Sequence, residues 1–238
     1  MTNRPVSNAI LIILIFLLAS CDSSRQYDVR AVESLDQMSE VIGKLNSVSY
    51  TLDTINSLET GIEVRNEHDV YMRGPDKMHV HTTGTNGEKS YWYNGSRLAY
   101  FSHTKDVYAM VGAPDNIIKA IDYISEKYGI DFPAADFFYP NFTDDILDNS
   151  NSIYFSEETV DGVDCVSVLA TTDGETIEIW IDKATHLPYR MVIESQLDKD
   201  QYYDVVFSNW RIDPNLPDVI FDFEPPGNTE ETQLQTTS

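Results

Sequence analysis

Two cysteines and five histidines carry most of the nucleophilic and metal-ligating capacity of this 238-residue chain. Cys21 closes the run Leu18-Ala19-Ser20-Cys21, directly behind the apolar stretch 9–18 and downstream of Arg4. A charged start, an apolar run and small residues at the cut describe a secretory signal peptide over 1–20. A cysteine as the first residue after the cut makes it a bacterial lipoprotein signal, because a thiol readily forms a thioether to diacylglycerol. The apolar stretch is about half of the ~20 residues a spanning helix needs, which favours cleavage over a transmembrane anchor. Cys21 is therefore the expected lipid-attachment site, and 21–27 the lipidated cysteine and its short tether.

The other chemistry-bearing residues form no reactive set. His79 and His81 stand two apart on a predicted strand and share a face, a pair that would still need a third ligand to hold zinc. No third ligand is signalled, so no metal centre and no cofactor are expected. With Cys21 consumed by lipid, Cys165 has no disulfide partner; its run Val163-Asp164-Cys165-Val166 reads as a strand with a buried free thiol. Carboxylate pairs such as Asp144-Asp145 and Glu157-Glu158 adjoin turns and are expected by chance among 39 acids. His-Glu-x-x-His, a phosphate-cradling glycine loop and Gly-x-Ser-x-Gly are all missing, and no enzyme is expected. The formal charge of −23 repels nucleic acid and anionic headgroups. It suits either a well-solvated secreted domain or a basic protein partner.

These residues must be positioned mostly by sheet. Val32, Leu35, Met38, Val41, Ile42 and Leu45 recur at helical spacing behind Asp28, a candidate N-cap. From Val48 the period changes to two. Hairpin arms are expected at 62–72 and 77–83 around Gly74-Pro75-Asp76, and at 90–93 and 97–101 around Asn94-Gly95, a type I′ turn signal. A strand at 107–111 precedes a mainly helical insertion over about 113–149. There Ile117, Ile118, Ile121 and Ile124 lead to Gly129, a helix-ending glycine, and Phe137 and Phe138 close a short second helix. Strands return at 153–155, 163–170, 176–182, 189–196 and 202–212. Residues 221–223 read as a last edge strand, and 228–238 as a disordered polar tail.

In order and spacing, several stretches resemble an uncharacterised family of predicted periplasmic proteins within the LolA-like group of lipoprotein carriers. They are Arg73-Gly74-Pro75-Asp76-Lys77-Met78-His79-Val80, Tyr91-Trp92-Tyr93-Asn94-Gly95, Val160-Asp161-Gly162-Val163-Asp164-Cys165, Ile179-Trp180-Ile181-Asp182 with Leu187-Pro188-Tyr189-Arg190, and Phe221-Asp222-Phe223-Glu224-Pro225-Pro226. The resemblance implies a mainly β fold with α elements over 28–227. In it a single strongly curved antiparallel sheet, a half-open barrel, carries helices over its concave face. It also implies an apolar cavity for a lipid or the acyl chain of an acylated protein, lidded by Ile117, Ile118, Ile121, Ile124, Phe137 and Phe138. Those six side chains fit equally the ordinary core of a sheet–helix sandwich. Other relatives act as sensors that bind a membrane protein, which is the alternative function. Asp22, next to Cys21, resembles the signal that retains lipoproteins in the inner membrane of enteric bacteria, so the expected place is the cell envelope, anchored and facing the periplasm.

Overall fold

The computed structural model describes residues 25–57, 62–197 and 201–237. Cys21, Asp22 and the signal peptide lie outside the described residues, as does the turn at 198–200.

Alternating apolar residues build one sheet of thirteen strands. They are β1 (Gln26–Tyr27), β2 (Ser47–Ser57), β3 (Glu63–Arg73), β4 (Lys77–Gly84), β5 (Gly87–Tyr93), β6 (Arg97–Ser102), β7 (Val107–Gly112), β8 (Ser152–Val160), β9 (Val163–Thr171), β10 (Glu175–Asp182), β11 (Pro188–Ser195), β12 (Tyr202–Ile212) and β13 (Glu230–Glu231). Their order is β1-β8-β9-β10-β11-β12-β2-β3-β4-β5-β6-β7-β13. The sheet curls without closing, and eleven consecutive strands pair antiparallel. β2 and β12 form the seam between the two halves, with Leu52 opposite Phe207 and Thr54 opposite Val205. The two ends are finished differently. β1 pairs in parallel with β8, and β13 in parallel with β7, two residues each.

Three helices pack on the concave face: α1 (Val29–Gly43), α2 (Ile117–Tyr128) and α3 (Phe142–Asn149), with a 3-10 turn at Ala135–Phe138. Asp28 caps α1 by accepting from the Arg30 amide at 3.0 Å, which satisfies one of the four orphan donors of a helix start. The buried stripe of α1 is Ala31, Leu35, Met38 and Ile42, rotated slightly from the expected one, so that Val32 and Val41 lie at its margin. Asn116 caps α2 through the Ile118 and Lys119 amides, and Gly129 ends it in the left-handed region at φ 61°. Only glycine enters that region without a Cβ penalty. The shared core joins Tyr50, Leu52, Val70, Met78, Val80 and Tyr93 on the sheet to Leu35, Met38, Ile121, Ile124 and Phe137 on the helices.

Three local expectations change. Between Asn94 and Arg97 only Gly95 takes positive φ, at 92°, which fits a II′ rather than a I′ turn. Residues 221–223 are not a strand. Phe221 and Phe223 follow a 3-10 turn (Asp218–Ile220) and pack on the sheet, Phe223 stacking on Trp92 at 4.8 Å on the outer face. The tail read as disordered from 228 is instead fastened down. It supplies β13, and Thr237 donates from its amide to the Lys127 carbonyl (2.9 Å) and from its hydroxyl to that of Glu126 (2.7 Å). The tail is polar and acidic, so nothing in its composition marks these backbone contacts. They arise because the edge of β7 leaves donors and acceptors open.

Cys165 is fully buried. Burial, helped by the carboxylates of Asp182, Glu158 and Asp164, pushes its thiol up to about 11. It is a core residue with no useful thiolate at neutral pH.

Candidate functional site

The helical insertion forms a lid over the concave face. Of its six predicted residues, Ile117, Ile121, Ile124 and Phe137 are buried in the common core, while Ile118 and Phe138 are half-buried. The phenylalanines enter an aromatic cluster. Phe138 stacks on Tyr50 at 5.7 Å, Phe137 on Phe142 at 4.8 Å, and Phe137 meets Phe207 edge-on at 5.3 Å. The Tyr50 hydroxyl has the Met72 sulfur 3.9 Å away, and burial raises its pKa.

The space directly beneath the lid, among Tyr50, Val70, Met78, Ile121, Phe132 and Phe138, is only about 20 Å³. Larger open spaces lie at the lid's margins. One cleft of about 350 Å³ is bounded by Thr54, His68, Thr82, Lys89 and Tyr91 on the sheet and by Asp131, Phe132 and Asp136 on the lid. A second, of about 310 Å³, is lined mainly by Phe142, Ile146, Ile177, Met191 and Ile193, with Asp136, Tyr139 and Asp145 at its rim. Ile118 and Phe138 line a third of about 320 Å³, beside Ile42 and Met72. Segment 131–139 contributes a wall to each of these spaces.

That segment is held by its buried side chains Phe132, Ala134 and Phe137 more than by its backbone. Its backbone makes short-range bonds only, such as Ala135 N–H to the Phe132 carbonyl and Tyr139 N–H to that of Asp136. Ala134 sits at φ 54°, where an L side chain is strained. Side chains fasten it at two points, Ser125 donating to Asp131 at 2.6 Å and Tyr139 to Asp122. Asp136, on the exposed side of this segment, has its pKa raised, first by partial desolvation of its carboxylate and then by Asp145, Asp131 and Asp122.

The polar cleft contains a buried histidine. The His68 ring nitrogens meet Thr54 Oγ1 at 3.1 Å and Thr82 Oγ1 at 2.9 Å. Burial, and then the Lys89 charge, lower its pKa to about 4. At neutral pH it is an uncharged hydrogen-bonding bridge.

The amino-terminal end of the described chain meets the apolar cleft. Tyr27 donates from its hydroxyl to the carbonyls of Leu147 (2.6 Å) and Ser150 (2.8 Å), beside Ile146, Asn149 and Ser150 of the cleft lining.

Sequence reasoning missed Phe132, Asp136 and Tyr139 as lid residues, and the cleft residues Ile146, Ile177, Met191 and Ile193. A signal existed for the last three. Ile177, Ile179 and Ile181 share a face, as do Tyr189, Met191 and Ile193, and the observed register sets Ile177 opposite Ile193 and Ile179 opposite Met191. The pair His79 and His81 does share one face but not one environment. His79 stacks between Tyr71 (5.7 Å) and Trp92 (4.8 Å), and its Nε2 is buried with no hydrogen-bond partner among the described residues. His81 points instead toward Glu88 and His103.

The chain is thus a curled, unclosed sheet with a helical lid on its concave side. Residues 31–235 match the family described as "Predicted periplasmic protein (DUF2092)", and the chain belongs to it. Similar solved structures include the LolA superfamily protein NE2245 from Nitrosomonas europaea, with 14% identity over 81% of this chain and 97% of that one and a TM-score of 0.40. The lipoprotein LppX from Mycobacterium tuberculosis matches with 14% identity, over 77% and 96%, at 0.48. MucB in the Pseudomonas aeruginosa MucA/MucB complex matches with 12% identity, over 82% of this chain and 61% of that one, at 0.47. No curated protein matches the chain.

Proposed function

We propose that this protein is a lipid-anchored periplasmic protein that binds a lipid, or the acyl chain of an acylated protein, between its sheet and its lid, without catalysis. One observation carries the reading: segment 131–139 is the common wall of the clefts on the concave face. Swinging that one segment outward, at the cost of unpacking Phe132 and Phe137, joins separate spaces of about 310 and 350 Å³ into a single groove. An acyl chain then takes the place of Phe132, Phe137 and Phe138 against the sheet. Each methylene removed from water contributes about 0.8 kcal/mol, offset by the exposure of lid residues.

The anchor in this reading is acylated Cys21, with residues 1–20 removed as a signal peptide, 21–25 as lipidated cysteine and tether, and the folded domain running from Gln26 in β1 through the tail that supplies β13. Asp22 favours the inner membrane. The short interval from Cys21 to Tyr27, whose hydroxyl bonds the Leu147 and Ser150 carbonyls at the end of α3, supports exchange with the nearby bilayer.

The test is native mass spectrometry of the full chain after incubation with vesicles of phosphatidylethanolamine and phosphatidylglycerol. The expected result is a stoichiometric phospholipid adduct that is lost in Ile193→Trp, which fills the apolar cleft. A folded wild-type chain without an adduct, or one whose adduct survives the filled cleft, overturns the reading. A second reading, a sensor or interaction module that regulates a membrane partner, is supported by the net charge of −23. It requires a basic partner whose complex weakens with salt.

A further inference from the structure

We propose that His81, Glu88 and His103 form a binding site for a divalent transition-metal ion on the outer face of the sheet, away from the lid and its clefts. The sheet register assembles it. His81 on β4 stands opposite Ser90 on β5, and Ser90 stands opposite Phe101 on β6. Glu88 lies two residues before Ser90 and His103 two after Phe101. The period of two therefore turns all four side chains to one side. One nitrogen from each ring and one Glu88 oxygen lie within 4.8 Å of one another. His81 Nε2 is 3.5 Å from Glu88 Oε1, and His103 Nδ1 is 3.9 Å from the same atom. Ligand atoms of a tetrahedral zinc site with bonds near 2.0 Å are about 3.3 Å apart, so the two ring-to-carboxylate pairs must close from 3.5 and 3.9 Å, and the ring nitrogens from within 4.8 Å, a movement within the reach of these partly exposed side chains.

Ser90 is the independent observation. Its hydroxyl oxygen meets His81 Nδ1 at 2.8 Å and His103 Nε2 at 2.9 Å. A hydroxyl oxygen can accept from both rings. Each imidazole then carries its proton toward Ser90 and turns its lone pair toward Glu88. This is the outer-shell arrangement that fixes the tautomer of metal-ligating histidines. The backbone holds the frame, since Glu88 N–H donates to Thr104 Oγ1 at 2.7 Å and His103 N–H to the Glu88 carbonyl at 3.0 Å. Gly87 permits this closeness: a Cβ there would meet Thr104 Oγ1 at 2.4 Å.

Two imidazoles and a carboxylate select zinc, copper(II), nickel or cobalt over calcium or magnesium, which prefer all-oxygen sites. The side chains are roughly one-third to one-half exposed, which leaves an entry path and a fourth position for water. The same groups do not make a nucleophile with its base. Ser90 is 1% exposed, and a substrate carbonyl cannot reach it.

The test titrates the chelator-stripped full chain with zinc chloride by calorimetry, and with cobalt(II) by visible absorption. One ion per chain at micromolar or better affinity, with a tetrahedral cobalt spectrum and a zinc-dependent rise in Tm, is the expected result. His81→Ala and His103→Ala abolish all three signals, Ser90→Ala weakens binding by about tenfold or more, and His186→Ala leaves it unchanged. Circular dichroism confirms that each variant is folded. Should the folded wild type bind no zinc at micromolar concentrations, or the folded double variant bind as tightly as wild type, the site does not exist.

Discussion

His68 couples this fold to pH. Its ring is 5% exposed and bridges two threonine hydroxyls, an arrangement that suits a neutral imidazole and leaves a charged one poorly solvated. The unfolded chain takes up a proton near 6.5 and the folded chain only near 4. This group therefore leaves stability unchanged above pH 6.5. It withdraws stability as the pH falls from 6.5 to 4, by up to about 1.4 kcal/mol per pH unit. Urea unfolding of wild type and His68→Gln across pH 7.5 to 4.5 checks this. The variant keeps an amide between the threonines without a titrating charge, and its midpoint should fall less steeply below pH 6.5. Equal slopes would mean that His68 is charged in the folded state. At this scale the sequence was legible where a residue's setting is local. Asp28 and Gly129 announce themselves by position, and Cys165 by the apolar run around it. His68, on a strand with no neighbouring signal, needed Thr54 and Thr82 from two flanking strands.

The lid is the element under tension. Ionised Asp136 is partly desolvated there among other carboxylates, which is why its pKa is raised. A carboxyl that holds its proton more firmly in the folded state opposes that state once ionised, so this interaction favours a closed lid at low pH and loosens it as the pH rises. Asp136→Asn should close the lid further at pH 7. Amide exchange across 131–139 should slow severalfold, and phospholipid uptake from vesicles should slow with it. Faster exchange in the variant would show that the carboxylate holds the lid down. The existence of α2 was legible from isoleucine spacing and a terminal glycine. The 3-10 geometry of Ala135–Phe138 and the φ of 54° at Ala134 were not, because they are imposed by the sheet beneath. The metal-type cluster escaped for a related reason. His81 lies on β4, Glu88 on β5 and His103 just past the end of β6, and only the pairing of three strands brings them together.

At the scale of the whole molecule, the chain ends guard the sheet. Open strand edges invite pairing with other chains, and here β1 covers part of β8 while β13 covers part of β7. Removing residues 228–238 should uncover Val107 and Tyr108 on β7 and release the carbonyls of Glu126 and Lys127 at the end of α2. The truncated chain is expected to self-associate with rising concentration in light scattering, more strongly than the full chain, and to unfold at lower urea. Unchanged scattering would show that the charge on this acidic surface alone keeps copies apart. The general architecture followed from alternating strands and a mid-chain helical insertion. The order β12-β2 at the seam and the two parallel end pairings join residues more than a hundred positions apart, and local pattern does not encode them.

The opposite chain end has a consequence of another kind. The described chain is pinned from Gln26 onward, five residues past Cys21, which extends to at most about 18 Å. With Cys21 acylated, a binding groove confined within that radius of a bilayer meets lipid at the effective concentration of a tethered reactant, in the millimolar range for a short link. Weak intrinsic affinity is then sufficient for occupancy, and a weakly held lipid can leave as readily as it entered. On the proposed function, turnover at the membrane surface would then be limited by the motion of the lid rather than by encounter.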